Sequence, residues 1–198
     1  MFHIRKYRIK YRKEAEELLI LLQEHLVQVD GEQVQRMMPD YPDRYLDLVL
    51  TRVEKNSGIF LIALDDDAVI GLAAGIMEEK DDVDRLTNRC PIRGKMIELI
   101  VRPEWRGHGA GSALFRAMES FFTAQRCEFI TIDVFAPNSG ALRFYEKRGY
   151  RPRNIEIYKR IGNLPQQAIP GAILSGDREE DRTEEVRTAM SFREQMMP

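Results

Sequence analysis

Cysteine is nearly absent. Cys90 and Cys127 are the only two, far apart, with no CxxC pair and no Cys/His cluster. A disulfide framework is therefore not needed, and structural thiols in a reducing compartment are expected rather than a bridge, a metal site or a nucleophile. Long apolar runs are missing too. No stretch of about 18 apolar residues occurs, and the basic start MFHIRKYRIKYRKE lacks the apolar segment of a signal peptide, so a cytoplasmic protein that does not span a membrane is expected. Nor is there an excess of charge: 30 Lys+Arg stand against 32 Asp+Glu, a formal net charge of -2, which gives no global positive field for nucleic acid. No internal repeat is present.

What the 198 residues do contain fits one domain with an appendage. FHIRKYRI alternates apolar and charged residues, as a half-buried strand does. Over 13–29, Ala15, Leu18, Leu19, Leu22, Leu26 and Val29 recur at helical spacing, and Asp30-Gly31 closes that run. Residues 39–43 read as a turn and 45–53 as a second helix. Strands are predicted over 59–64 and 68–77, joined through Asp65-Asp66-Asp67, and again over 95–101 after a polar excursion. A helix over 112–125, a strand over 129–135, a helix over 139–148 closed by Gly149-Tyr150, and a last strand over 155–161 complete the order. Residues 1–162 are thus expected to form the domain. From 163 onward four arginines face seven acids, an acidic C-terminal tail expected to be flexible or to dock on a partner.

The segment RPEWRGHGAGS, residues 102–112, places three glycines in five positions between a strand and a helix. Glycine suits positive φ or close approach of another group to the backbone. A helix beginning near Gly111 adds free N–H groups and the positive end of its dipole, which together suit an anion such as a phosphate. No lysine precedes Ser112, so an ATP- or GTP-binding P-loop is disfavoured. A dinucleotide fingerprint fits only in part, because five residues separate Val101 from the first glycine. A plain strand-to-helix turn remains the alternative.

Two motifs in order now carry a resemblance. Arg106-Gly107-His108-Gly109-Ala110-Gly111 follows the strand ELIVRP, and Asn138, Ala141, Tyr145, Gly149 and Tyr150 fall in the pattern Asn-x-x-Ala-x-x-x-Tyr-x-x-x-Gly-Tyr. The chain resembles the GNAT N-acetyltransferase superfamily over roughly residues 2–161. That resemblance implies an α/β fold (α+β in some schemes), with a central mixed, mostly antiparallel sheet flanked by helices on both faces. It also implies acetyl-CoA as cosubstrate; no metal is expected.

The resemblance places the pyrophosphate on residues 106–112: Arg106, Gly107, His108, Gly109, Ala110, Gly111 and Ser112. A backbone N–H near Ile100 or Val101 would meet the developing oxyanion, and Asn138 and Ala141 would border the cofactor. Tyr145 becomes the hydrogen-bond donor to the leaving sulfur and Glu98 the base. Each residue has a plainer alternative: Asn138 as a helix cap, Tyr145 as a core aromatic beside Phe144, Glu98 as a carboxylate paired with an arginine, His108 and Arg106 as loop residues.

Only residues 151–154 separate the last helix motif from the last predicted strand, a shorter connection than the family often carries. The acceptor pocket would then be open, or completed by the tail, or completed by the second subunit of a homodimer. Glu32, Asp40, Tyr41 and Asp43, between the first two helices, would suit a cationic amine or form a solvated loop. The expected activity is transfer of an acetyl group from acetyl-CoA to a primary amine of a small molecule or protein, by direct attack on the thioester. The alternatives are a non-catalytic CoA-binding or regulatory module of the same fold and, more remotely, a nucleotide-binding α/β protein.

Overall fold

The computed structural model describes residues 1–161 other than 81, 88 and 90, so Cys90 and the expected 163–198 tail lie outside the described residues. The order of elements is β1 (Phe2–Lys6), α1 (Arg12–Val29), α2 (Tyr41–Lys55), β2 (Ile59–Asp65), β3 (Ala68–Met77), α3 (Asp82–Thr87), β4 (Arg93–Val101), α4 (Ala110–Ala124), β5 (Phe129–Ile132) and α5 (Ser139–Glu146). Met1–Arg151 forms one compact unit, and the chain from Pro152 belongs to a second.

The strands lie in chain order in one sheet, β1-β2-β3-β4-β5. The first three pairings are antiparallel, and β5 runs parallel to β4. The acidic turn makes the β2–β3 hairpin as expected, with Asp66 at a φ of 51°, a conformation that Asp tolerates better than most residues. Both central strands are buried on their two faces, and for that reason they read as continuous apolar runs rather than alternating ones.

One face of the sheet carries α1 and α2. Ala15, Leu18 and Leu19 from α1, with Leu46 and Val49 from α2, pack on Phe60, Ile62, Leu72 and Ile100. The other face carries α4, whose Leu114, Phe115, Met118 and Phe122 meet Leu61, Ala63, Ile70 and Met96. Each such fully buried side chain contributes about 1.5–3 kcal/mol, and together they fix α4 and the loop that leads into it.

Strand β4 departs from a regular ladder in two ways. Ala74 pairs with Glu98 but Gly75 pairs with Met96, so Ile97 is an extra residue in the ladder. This bulge reverses the facing of β4: Met96 lies against α4, whereas Ile100, four residues on, lies against α1 and α2. Secondly, the β4–β5 ladder runs only from Arg93↔Phe129 to Met96↔Ile132, while β4 continues to Val101. From Ile97 onward β4 has no partner on that side among the described residues.

Several bounds differ from those expected. Helix α2 starts at Tyr41, inside the segment read as a turn, because Pro42 falls in the first turn, where its missing N–H is not needed. Helix α4 starts at Ala110, β5 ends at Ile132, and the polar excursion holds the six-residue α3. The expected last strand is absent among the described residues: 155–161 form no ladder, and Ile155, Ile157 and Ile161 are exposed. Alternation satisfies one face of a strand, but a strand also needs a partner for its backbone groups.

Candidate active site

The parting of β4 from β5 opens a cavity of about 790 Å³, within the usual range for ligand sites. In an antiparallel ladder alternate pairs exchange both backbone bonds, and the others turn their N–H and C=O groups outward. Arg102 N–H donates to Ile70 O at 2.9 Å, so the bonded pairs continue through Ile100 with Leu72 and Glu98 with Ala74. Leu99 and Val101 therefore turn their backbone groups toward the side that β5 has left. Of the two expected oxyanion donors, Val101 is the one whose N–H turns toward that side. Ile100 also lines the cavity, but its N–H is directed at β3.

Beyond Val101, a 3-10 turn at Pro103–Trp105 leads to the glycines. Gly107 and Gly109 sit at φ of 81° and 90°, the left-handed region where a side chain is strained. The first α4 bond is Ala113 N–H to Gly109 O at 3.0 Å, and among the described residues no side chain caps the helix. The N–H groups of Gly109, Ala110, Gly111 and Ser112 are thus the orphan donors of this helix end. Gly111 and Ser112 line the cavity, while the Ala110 side chain is buried against the sheet.

Arg106 Nε donates to Val101 O at 3.2 Å, which holds the loop back against the end of β4. His108 Nδ1 lies 3.0 Å from Arg106 O; a carbonyl only accepts, so this contact requires the proton on Nδ1. The His108 ring packs edge-on against Trp105, 6.1 Å between centroids, and does not line the cavity. It serves the loop.

Helix α5 forms the facing wall. Asn138 Oδ1 accepts from Ala141 N–H at 3.2 Å, so the cap is real, and both residues also line the cavity. Gly149, at φ 85°, ends the helix: Tyr150 N–H reaches Tyr145 O and Gly149 N–H reaches Glu146 O, the pair of bonds of a Schellman motif. This folds Tyr150 back to 6.0 Å from Tyr145 and 5.5 Å from Phe115.

Among the described residues the cavity wall carries Arg106, Arg143, Lys147 and Arg148 together with His25, and no aspartate or glutamate. Sequence reasoning missed all of these except Arg106. Arg143 and Lys147 are four apart on α5, a spacing that puts them on one helix face. Leu22, His25 and Val29 of α1 also line the cavity; from helical spacing alone, Leu22 and Val29 belong only to the core stripe of that helix.

Glu98 is 5% exposed and is turned by the Ile97 bulge toward α2 rather than onto the cavity wall. Tyr45 Oη donates to its Oε1 at 2.5 Å. Burial raises the Glu98 carboxyl to about 7, against the opposing effects of the Tyr45 hydrogen bond and the Arg52 charge. The expected alternative, a pair with an arginine, is not what is found: the direct partner is a phenol. Tyr145 is pushed up to about 12, first by burial and then by the Glu98 charge, with Arg148 acting the other way. These two groups are near enough to sense each other.

The acidic wall expected between α1 and α2 is committed elsewhere. Arg12 binds Asp43 and Asp47, Asp40 takes Arg44 at 2.8 Å, and none of Glu32, Asp40, Tyr41 or Asp43 lines the cavity. Among the described residues no cluster of metal-ligating side chains is present, and no helix is long and apolar enough to cross a membrane.

A curated protein of Methanocaldococcus jannaschii, named an uncharacterized N-acetyltransferase, is 33% identical over 97 residues, 48% of this chain and 54% of that protein. The chain thus spans about half the length of the curated relative it matches. Among solved structures, a mutant of the BH1408 protein of Bacillus halodurans has a TM-score of 0.70 at 21% identity, over 80% of this chain and 99% of the other. AAC(6')-Iy in complex with a CoA-S-monomethyl-acetylneamine bisubstrate analog has a TM-score of 0.58 at 16% identity, over 82% and 99%. At these identities the likeness is one of fold. Residues 23–150, which take in β4, the glycine loop and α5, match the Acetyltransferase (GNAT) family, and the chain belongs to that family.

Proposed function

We propose that the chain binds acetyl-CoA along the opened edge of β4 and transfers its acetyl group to a primary amine of a small molecule or protein. The observation that carries this reading is one cavity lined by the outward-turned edge of β4, the unsatisfied amides of α4 and Tyr145.

The residues present suit the donor. Coenzyme A carries a diphosphate and a phosphomonoester, and among the described residues the cavity offers four cations and a helix N-terminus with no acid to oppose them. Gly111 has a helical φ, and a Cβ there would meet Val101 Cγ2 at 3.5 Å, an ordinary contact. Neither strain nor crowding within the protein calls for glycine at that position, whereas a ligand lying against the backbone does. Residues 107–112 would hold the diphosphate, and the edges of Leu99 and Val101 would pair with the amide-bearing arm.

The bound thioester supplies an activated acetyl group, and the chain supplies three things. The first is a proton acceptor. A lysine-like amine with a pKa of about 10.4 is neutral in roughly one molecule in a few thousand at pH 7. Glu98, which burial raises to about 7, can exchange a proton near neutral pH and takes the amine proton through water. The second is the Val101 N–H, turned toward the place where negative charge builds on the acyl oxygen.

The third is Tyr145. Handing its proton from about 12 to a thiolate near 8.5 is uphill by about 5 kcal/mol, so its hydroxyl stabilises the leaving sulfur by hydrogen bonding and keeps its own proton. Acetyl-CoA should raise the Tm of the chain. Release of free thiol from acetyl-CoA, followed across polyamines, aminoglycosides, amino acids and lysine peptides, identifies the acceptor. No thermal shift and no thiol release with any amine would overturn the proposal.

A further inference from the structure

We infer that Tyr45 is a positioning residue for Glu98, fixing one carboxylate oxygen so that the other is left to take the proton of the incoming amine. This inference rests on the acetyl-transfer reading above.

Three features of the fold bring the two side chains together across 53 positions of sequence. The Ile97 bulge turns Glu98 away from α4 and toward α2. Helix α2 starts at Tyr41, which places Tyr45 one turn in and on the face that packs against the sheet. The Tyr45 ring stacks on Tyr41 with centroids 4.8 Å apart and planes 15° from parallel, so the ring is held in place before its hydroxyl is engaged. Packing alone would be served by a phenylalanine. The hydroxyl adds one directed bond, 2.5 Å long, to a carboxylate that is buried yet keeps a small exposed area through which a relay water can reach it.

Among the described residues the groups that face Glu98 are few. From α2 they are Tyr45, Tyr41 and Arg52, and from α5 Tyr145; its partner on β3 is Ala74, which brings no charge. Burial pushes the Tyr45 phenol far above its ordinary value, so it stays protonated and remains a donor. A donor to the charged carboxylate favours that form, and Glu98 is already held up by burial. Without Tyr45 the carboxyl would ionise at still higher pH. In the proton step one proton leaves the ammonium nitrogen and ends on the free Glu98 oxygen, while Tyr45 keeps its own.

Tyr45→Phe keeps the ring and removes the bond. The Glu98 carboxyl can be followed in the full chain by ¹³C NMR, its resonance assigned by its loss in Glu98→Gln. Its titration midpoint should rise by about one pH unit in Tyr45→Phe, the scale of a hydrogen bond to a charged group. The acid limb of kcat/KM should move up with it, with rates recovering toward pH 9 and acetyl-CoA affinity unchanged. In a Glu98→Gln background Tyr45→Phe should add nothing. Substituting 3-fluorotyrosine at position 45, a stronger donor of the same shape, should move midpoint and limb downward, which tests the bond even if Tyr45→Phe folds poorly.

An unmoved midpoint, or a rate loss that is the same at every pH and persists beside Glu98→Gln, overturns the role of Tyr45 alone. An active enzyme whose acid limb survives Glu98→Gln overturns Glu98 as base and Tyr45 with it. A wild-type chain that acetylates no amine overturns the transfer reading, which the NMR titration tells apart from a failure of the Tyr45 bond.

Discussion

Arg148 reaches from the end of α5 to Ser112 in the first turn of α4, Nη2 to Oγ at 2.6 Å. Its Nη1 donates to Phe144 O at 2.7 Å, and the guanidinium lies 3.5 Å over the Phe144 ring. One side chain thus joins the two helices that border the cavity, and it is preordered by an aromatic face before any ligand arrives.

Arg148→Ala should lower acetyl-CoA affinity by about tenfold and stability by about 1–2 kcal/mol, the scale of two hydrogen bonds and a stacked cation. Arg148→Lys should restore little of either, because an ammonium cannot lie flat on a ring and donate in two fixed directions. Calorimetric titration and denaturant unfolding read the two effects. Unchanged affinity in Arg148→Ala would confine Arg148 to helix packing.

Gly109 at the N-cap of α4 and Gly111 in its first turn should respond to alanine in opposite ways. Gly109 holds φ 90°, so Gly109→Ala should cost about 1–2 kcal/mol of stability. Gly111 is already helical with room for a methyl group, so Gly111→Ala should leave stability unchanged or raise it by up to about 1 kcal/mol. That methyl group would nevertheless stand on the cavity wall and weaken acetyl-CoA binding. Thermal unfolding and acetyl-CoA titration of both variants check the pair; full affinity in Gly111→Ala would take that position out of the ligand's path.

What the sequence revealed here is local. The stripe Ala15, Leu18, Leu19 and the Asn138-to-Ala141 cap depend on residues within a few positions, and Gly149 closes its helix through neighbours only. Pairings between distant residues were hidden. Tyr45 looked like one more member of an amphipathic helix, and nothing in its neighbourhood names Glu98; the usable signal was a carboxylate within an apolar strand, which must find a donor when buried. Arg148 was one cation among several after Tyr145. At 155–161 the reading failed for the same reason in reverse, since alternation cannot report whether a partner strand exists.

Tyr145→Phe should keep acetyl-CoA affinity and lower kcat about ten- to hundredfold, the scale of one hydrogen bond to a charged sulfur. The ring sits among Phe115, Phe144 and Tyr150 at 5.3–6.0 Å, surroundings in which phenylalanine fits. Because Tyr145 ionises only near 12, it should give no alkaline limb below about pH 10. Single-turnover rates from pH 6 to 10 test both points. A wild-type rate in Tyr145→Phe would leave the residue with packing alone.

Glu98 sets stability against activity. Its carboxyl lies at about 7 in the folded chain against 4.5 when exposed. Below pH 4.5 both states hold the proton, and folding loses nothing. As pH rises from there to 7 the unfolded chain releases its proton first, so stability falls, by about 3 kcal/mol once pH passes 7. Glu98→Gln removes the titration while keeping an oxygen for Tyr45. Relative to wild type it should gain stability progressively between pH 4.5 and 7, with the gain constant above, and it should lose the acid limb of turnover. Urea unfolding at pH 4.5, 6 and 8 measures the difference. An advantage that does not grow with pH would mean that the carboxylate carries no burial penalty, and with it would go the reason for a base poised near neutrality.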